Sequence, residues 1–155
     1  MAPTAASGKS IVVNGDFSAI EPGGLPSGWD ARGGQVVTEK GETFFRSEGP
    51  SCKQIIAVPP EAKTVRLTGK MRCGDFVADR NDTFQGIDIA LLSKGGAANG
   101  TYLINNIIKG GSKTWRKVDE TKTIPPGTTQ FEIGLTRWGA VSATVDYDDI
   151  ELVFR

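Results

Sequence analysis

Val145-Asp146-Tyr147-Asp148-Asp149-Ile150-Glu151-Leu152-Val153-Phe154 closes the chain, and its reading decides the fold. Val145 and Tyr147 share one parity, whereas Ile150, Leu152 and Phe154 share the other. Side chains along a strand alternate with period two, so a regular strand cannot deliver both sets to one core. A β-bulge at Asp148-Asp149 reconciles them, because it inserts one extra residue and re-aims the side chains beyond it. The re-aimed groups here are carboxylates, and acids beside a core strand need compensation. Two readings stand. One is a calcium ion, which takes hard oxygen ligands, although no contiguous calcium loop of the EF-hand kind is present. The other is a solvated strand end with its acids paired to Lys or Arg.

The same alternation recurs toward the N-terminus. Phe131, Ile133 and Leu135 alternate with Glu132, Gly134 and Thr136, and Val65, Leu67, Gly69, Met71 and Cys73 alternate with Arg66, Thr68, Lys70 and Arg72. Ile87, Ile89 and Leu91 repeat the pattern. Further short strands are expected at Ile11–Val13, Gln35–Thr38, Thr43–Ser47, Ser51–Val58, Tyr102–Ile108 and Trp115–Ile124. Turn residues separate them: Gly23 to Gly28, Pro59-Pro60, the glycine-rich Lys94–Gly100 and Pro125-Pro126-Gly127-Thr128. The polar, acidic stretch Gly74–Thr83 reads as a loop, with Phe76 and Phe84 near its ends. No segment carries a helical period, and no internal repeat appears. Many short alternating runs in one chain point to an all-β, two-sheet antiparallel β-sandwich of the jelly-roll kind.

A chain of 155 residues is long enough to bury one core without disulfides or metals. Residues 10–155 are expected to form that single domain, with 1–9 a flexible tail or linker, or else an end from which an export signal has been trimmed; no signal peptide is visible. The 18 basic residues balance 18 acidic ones, which argues against a nucleic-acid partner. No apolar run is long enough to span a bilayer as a helix. Histidine is absent, which removes His-based nucleophile activation, general-base catalysis and metal ligation. Cys52 and Cys73 fall on adjacent predicted strands. In a hairpin of 51–57 with 64–73 they lie opposite one another and a disulfide is open to them; otherwise they are two small buried hydrophobes.

The two ends of the chain carry matching motifs. Asn14-Gly15-Asp16-Phe17-Ser18 and Gly28-Trp29 stand near the start, and Asp148-Asp149-Ile150 near the finish. With Gln54 and Ile56, Trp115, and Ile124-Pro125-Pro126-Gly127-Thr128 between them, these residues resemble, in order and spacing, the carbohydrate-binding modules of families four, nine, sixteen and twenty-two. The resemblance runs from Ile11 to Phe154. It implies a galactose-binding-like jelly roll with first and last strands close in space. It also implies a structural calcium, with Asp16, Ser18 and Asp149 as ligands, Asp148 behind them, and backbone carbonyls around Lys40–Glu42. Such modules are not catalytic; they ride on secreted polysaccharide-degrading enzymes and hold them to substrate. The chain is therefore expected to be an extracellular, monomeric module of a larger enzyme, with a polysaccharide or oligosaccharide as its partner and neither a membrane nor a nucleic acid.

A sugar offers an apolar C–H face and a polar rim, so a protein grips it with an aromatic platform and planar polar groups. Trp29 and Trp115 sit at landmarks that the resemblance makes structural. Trp138, on the polar face of its strand, is the expected platform and Tyr102 the second. Arg72 with Lys70, and Glu132, Gln85 and Asp88, are the candidate polar contacts of a concave groove. Relatives that bind xylan place an aromatic and an acid where this chain has Gly134 and Thr136, so the glycan stays open. Two other readings remain: a structural or adhesive jelly roll without sugar binding, and an enzyme using carboxylates drawn from Asp88, Glu132 and Asp146.

Overall fold

The computed structural model describes residues 9–49, 51–74, 77–78, 85–138, 140–142 and 144–155. Every regular element among them is a strand: β1 (Asp30–Ala31), β2 (Gly34–Glu39), β3 (Glu42–Ser47), β4 (Ser51–Ala57), β5 (Thr64–Cys73), β6 (Val77–Ala78), β7 (Gly86–Lys94), β8 (Tyr102–Asn105), β9 (Ile108–Lys109), β10 (Arg116–Thr123), β11 (Gln130–Trp138), β12 (Ala140–Ser142) and β13 (Val145–Phe154). One sheet runs β1-β4-β11-β7-β8 with β9 also on β7, and the other runs β10-β5-β13-β3-β2. All pairings are antiparallel, and β6 and β12 form a separate two-stranded ribbon. This is the expected two-sheet jelly-roll sandwich.

The alternation carries the core as anticipated. Ile87, Ile89, Leu91, Phe131, Ile133 and Leu135 of the first sheet meet Val65, Leu67, Met71, Tyr147, Ile150 and Leu152 of the second, all fully buried. Tyr147 ties the layers together directly, its hydroxyl donating to the Thr136 carbonyl at 3.0 Å.

The parity break in β13 is a bulge. Asp148 pairs with Lys70 and Glu151 with Thr68, so two residues of β13 face Gly69 alone. Asp149 takes φ +53°, and the shift returns Ile150, Leu152 and Phe154 to the core. The bulge explains the residue opposite it: a Cβ on Gly69 would lie 2.8 Å from Ile150 Cδ1 and 3.1 Å from Ile89 Cδ1.

The two chain ends do meet, though Ile11–Val13 is a strap rather than the expected strand. The Ile150 N–H donates to Gly15 O (2.9 Å), and the Ile11 N–H to Leu152 O (3.0 Å). A Cβ on Gly15 would fall 2.0 Å from the Ile150 carbonyl oxygen, so only glycine admits this approach. On the opposite sheet, buried Gln54 accepts the Val13 N–H at 2.9 Å and donates to the carbonyls of Val13 (2.9 Å) and Gly28 (3.1 Å). Asn14 pins Ala19 and Ser27, and Trp29 Nε1 donates to Asn14 O at 3.1 Å. Phe17 then packs between Trp29 and Phe45. The N-terminal motif is thus a clasp that closes one end of the sandwich and holds both sheets.

Two expectations are corrected. The strands at 51–57 and 64–73 do not form a hairpin: β4 and β5 lie in opposite sheets, joined by the crossing that contains Pro59-Pro60. Cys52 and Cys73 are both buried in the core without a disulfide, and burial raises the Cys52 thiol to about 12. The expected 102–108 strand is split into β8 and β9. The loop expected over Gly74–Thr83 includes β6 and, like Phe76 and Phe84, falls largely outside the described residues, as does most of the 1–9 tail.

Candidate functional site

Side chains of opposite parity to the core emerge on the outer face of the first sheet. Register sets them in rows: Ser51–Thr136–Asp88, then Lys53–Gly134–Ala90, then Ile55–Glu132–Leu92–Tyr102. The middle row carries little side chain on β11 and β7, because Gly134 and Ala90 stand there. Flanking residues rise around it, forming a cleft of about 190 Å³ lined by Ser51, Lys53, Leu92, Tyr102, Glu132, Gly134, Thr136 and Trp138. At roughly 30 Å³ per water, that is room for about six waters, the bulk of a single sugar ring.

Tyr102 and Trp138 form one wall, edge to face with ring centroids 6.2 Å apart. Tyr102 is 42% exposed and Trp138 half-buried, so apolar ring surface stays open to a ligand. The Trp138 indole is fixed from below: its Nε1 donates to Asp88 Oδ2 at 3.1 Å, while Asp88 Oδ1 accepts the Asn106 N–H at 2.9 Å. Asp88 is fully buried, and that burial raises its carboxyl to about 6, against the two hydrogen bonds that favour the ionised form. Across the cleft, Glu132 is shared by Lys53 and Lys94, each 3.3 Å from one of its carboxylate oxygens. This wall offers acceptors and ammonium donors to hydroxyl groups.

Trp138, Tyr102, Glu132 and Asp88 are therefore assembled at one place, with Asp88 a support beneath the platform. Gln85 precedes β7 and does not line the cleft. Arg72 and Lys70 are corrected outright: β5 belongs to the other sheet, and both side chains lie on the far face of the sandwich. Arg72 Nε donates to Asp146 Oδ2 at 2.8 Å, and Arg46 grips the same carboxylate through Nε (2.8 Å) and Nη2 (3.1 Å). The guanidinium of Arg72 stacks 4.4 Å from the Trp115 ring centroid, and Trp115 meets Phe44 edge to face. Trp115 and Trp29 both serve packing. Asp88, Glu132 and Asp146 share no site, because Asp146 lies on the far face. The residues that the sequence pattern did not single out are Ser51, Lys53 and Leu92 of the lining, and Lys94 beside Glu132. The outward parity of Ser51 and Lys53, opposite Cys52 and Gln54, was the signal for two of them.

Three of the four residues expected at a calcium site, Asp16, Ser18 and Asp148, make hydrogen bonds within the chain. Asp16 Oδ1 accepts the Ser18 N–H (3.1 Å) and hydroxyl (2.8 Å), which hold the carboxyl below its usual range. Asp148 Oδ1 accepts the Asp149 N–H at 2.8 Å, and burial raises this carboxyl to about 6. Asp16 and Asp149 do line one hollow, with Ser10 and Glu151. Among the described residues, however, no three acidic, Cys or His side chains are grouped as a metal would need.

No family model matches the sequence, and no curated protein matches it. Solved structures do match in fold. A second family 16 carbohydrate-binding module superposes with TM-score 0.61 at 21% identity, over 92% of this chain and 99% of that one. A family 61 module solved with β-1,4-galactotriose gives 0.58 at 17% identity, covering 95% and 99%. The first family 22 module of Paenibacillus barcinonensis Xyn10C, a xylan-binding domain, gives 0.55 at 14% identity, covering 84% and 88%. The chain has the jelly-roll fold of these carbohydrate-binding modules.

Proposed function

We propose that this chain is a non-catalytic carbohydrate-binding module that takes a polysaccharide or oligosaccharide in the cleft on the outer face of its first sheet. The observation that carries the reading is the Tyr102–Trp138 wall beside a floor emptied by Gly134. An apolar ring face next to hydrogen-bonding groups is the surface a pyranose requires. Lys53 and Glu132 are the polar contacts, and Asp88 orients the platform. The similarity in fold to modules named for families 16, 22 and 61 supports the same reading. In this role the domain works outside the cell, attached to a secreted enzyme that it holds against its substrate.

The test is affinity electrophoresis across plant, algal and bacterial glycans, with titration of any glycan that retards the protein. Trp138→Ala and Tyr102→Ala should each weaken binding about tenfold or more, as loss of a central aromatic anchor does. Failure of every glycan to retard the protein would leave a structural or adhesive jelly roll without a sugar ligand.

A further inference from the structure

The ammonium of Lys70 stands where three carboxylates converge. Glu42 Oε1 is its direct hydrogen-bond partner, Asp149 Oδ2 lies 3.6 Å away and Asp148 Oδ2 4.0 Å away. The Trp115 ring caps it, with its centroid 4.7 Å from Nζ. Four pieces of chain meet at this one charge: β3 through Glu42, the bulge of β13, β5 itself and the residue that precedes β10. The Lys70 side chain is only 18% exposed, so these contacts are sheltered from water.

A divalent ion at the bulge would need about six to eight oxygens at 2.3–2.6 Å. The carboxylates facing Lys70 already have a cation among them, and an ammonium within 4.0 Å of all three opposes the entry of a second. Asp16 is turned to Ser18, whose N–H and hydroxyl both donate to its Oδ1. We infer that Lys70 is a built-in counter-ion: it compensates the carboxylates of the β13 bulge, so that the joined chain ends are secured without calcium. This holds whether or not the cleft binds a glycan, because the two lie on opposite faces of the sandwich.

The experiment compares the whole chain with Lys70→Met, which keeps the length and apolar stem but removes the charge. After chelation and dialysis, thermal unfolding of the unmodified protein should be unchanged by EDTA or by millimolar calcium chloride. Lys70→Met should melt about 5 °C or more lower, because it strands partly buried carboxylates, and calcium should recover part of that loss by taking the vacated place. Lys70→Arg, which keeps a cation, should melt closer to the unmodified protein and show no calcium response. Should Lys70→Met fail to fold, calorimetric titration of the unmodified protein with calcium decides, with no binding heat expected. A melting temperature of the unmodified protein that falls with EDTA and returns with calcium overturns the inference, and so does a Lys70→Met protein as stable as its parent.

Discussion

At the scale of single residues, Asp88 is the carboxyl beneath the aromatic platform, and its chemistry is displaced by its surroundings. Its carboxyl rises to about 6 from an ordinary 3.8 because it is buried. A raised acid pKa means that the folded chain holds this proton more tightly than the unfolded one. Its stabilising contribution is therefore complete below about pH 3.8 and is lost as pH rises through about 6. Two units correspond to about 3 kcal/mol. Asp88→Asn cannot ionise, so the stability difference between it and the parent should change by about that amount between pH 4 and pH 7; urea unfolding at intermediate pH values checks it. Asp148 is displaced in the same direction but is common to both proteins and drops out of the difference. The asparagine also leaves Trp138 Nε1 or the Asn106 N–H without an acceptor, which adds a penalty that does not vary with pH. Gly69 gives the second residue-scale prediction. The Cβ of Gly69→Ala would press on Ile150 and Ile89, an overpacking worth about 1–3 kcal/mol, visible as a lower urea midpoint with unchanged slope.

At the scale of elements, the last strand shows what patterning can and cannot reveal. The mismatch between Tyr147 and Ile150 located the bulge to the residue, because period two leaves no other way to bury both sets. The compensating charge was not legible, since Lys70 lies far upstream and its partnership depends on which strands are neighbours. The same gap misplaced Arg72 and suggested a hairpin for Cys52 and Cys73. Alternation says that a residue faces outward, but not from which of the two sheets. Trp138 was legible as an outward aromatic and Tyr102 as a second platform after the glycine-rich turn, whereas their meeting required β8 to pair with β7, and β7 with β11. The N-terminal clasp yields a prediction of its own. Gln54 makes two hydrogen bonds to Val13 of the strap and one to the Gly28 carbonyl, and at about 1 kcal/mol each Gln54→Ala should lose roughly 3 kcal/mol. Amide exchange in residues 10–18 should accelerate before that in the core strands, because the strap loses its anchor on the first sheet while keeping β13.

At the scale of the whole molecule, the two outer faces have been put to opposite uses. On the second sheet the aromatic and charged groups consume one another. Arg46 and Arg72 share Asp146, both lie over Phe44, and Arg72 and Lys70 cover Trp115. A ring already occupied by cations of its own chain has little surface left for a ligand. On the first sheet the aromatic pair stands at the rim of an open cleft, and its one strong internal tie, from the indole to Asp88, runs along the ring edge and leaves the faces available. The two tryptophans should therefore respond in opposite ways. Trp115→Ala loses an edge-to-face aromatic contact and two cation–π contacts, together about 2 kcal/mol, and should lower the melting temperature while leaving glycan affinity unchanged. Trp138→Ala should do the reverse for binding, with the larger effect on affinity and the smaller one on melting. Measuring both quantities on both variants separates the faces. Equal loss of binding in the two would mean that the glycan is held on the second sheet, or that the sandwich transmits damage from one face to the other. A core of fully buried side chains such as Tyr147, Leu135, Met71 and Ile89 is expected to confine the damage to its own side, because each outer face rests on its own hydrogen-bonded ladder.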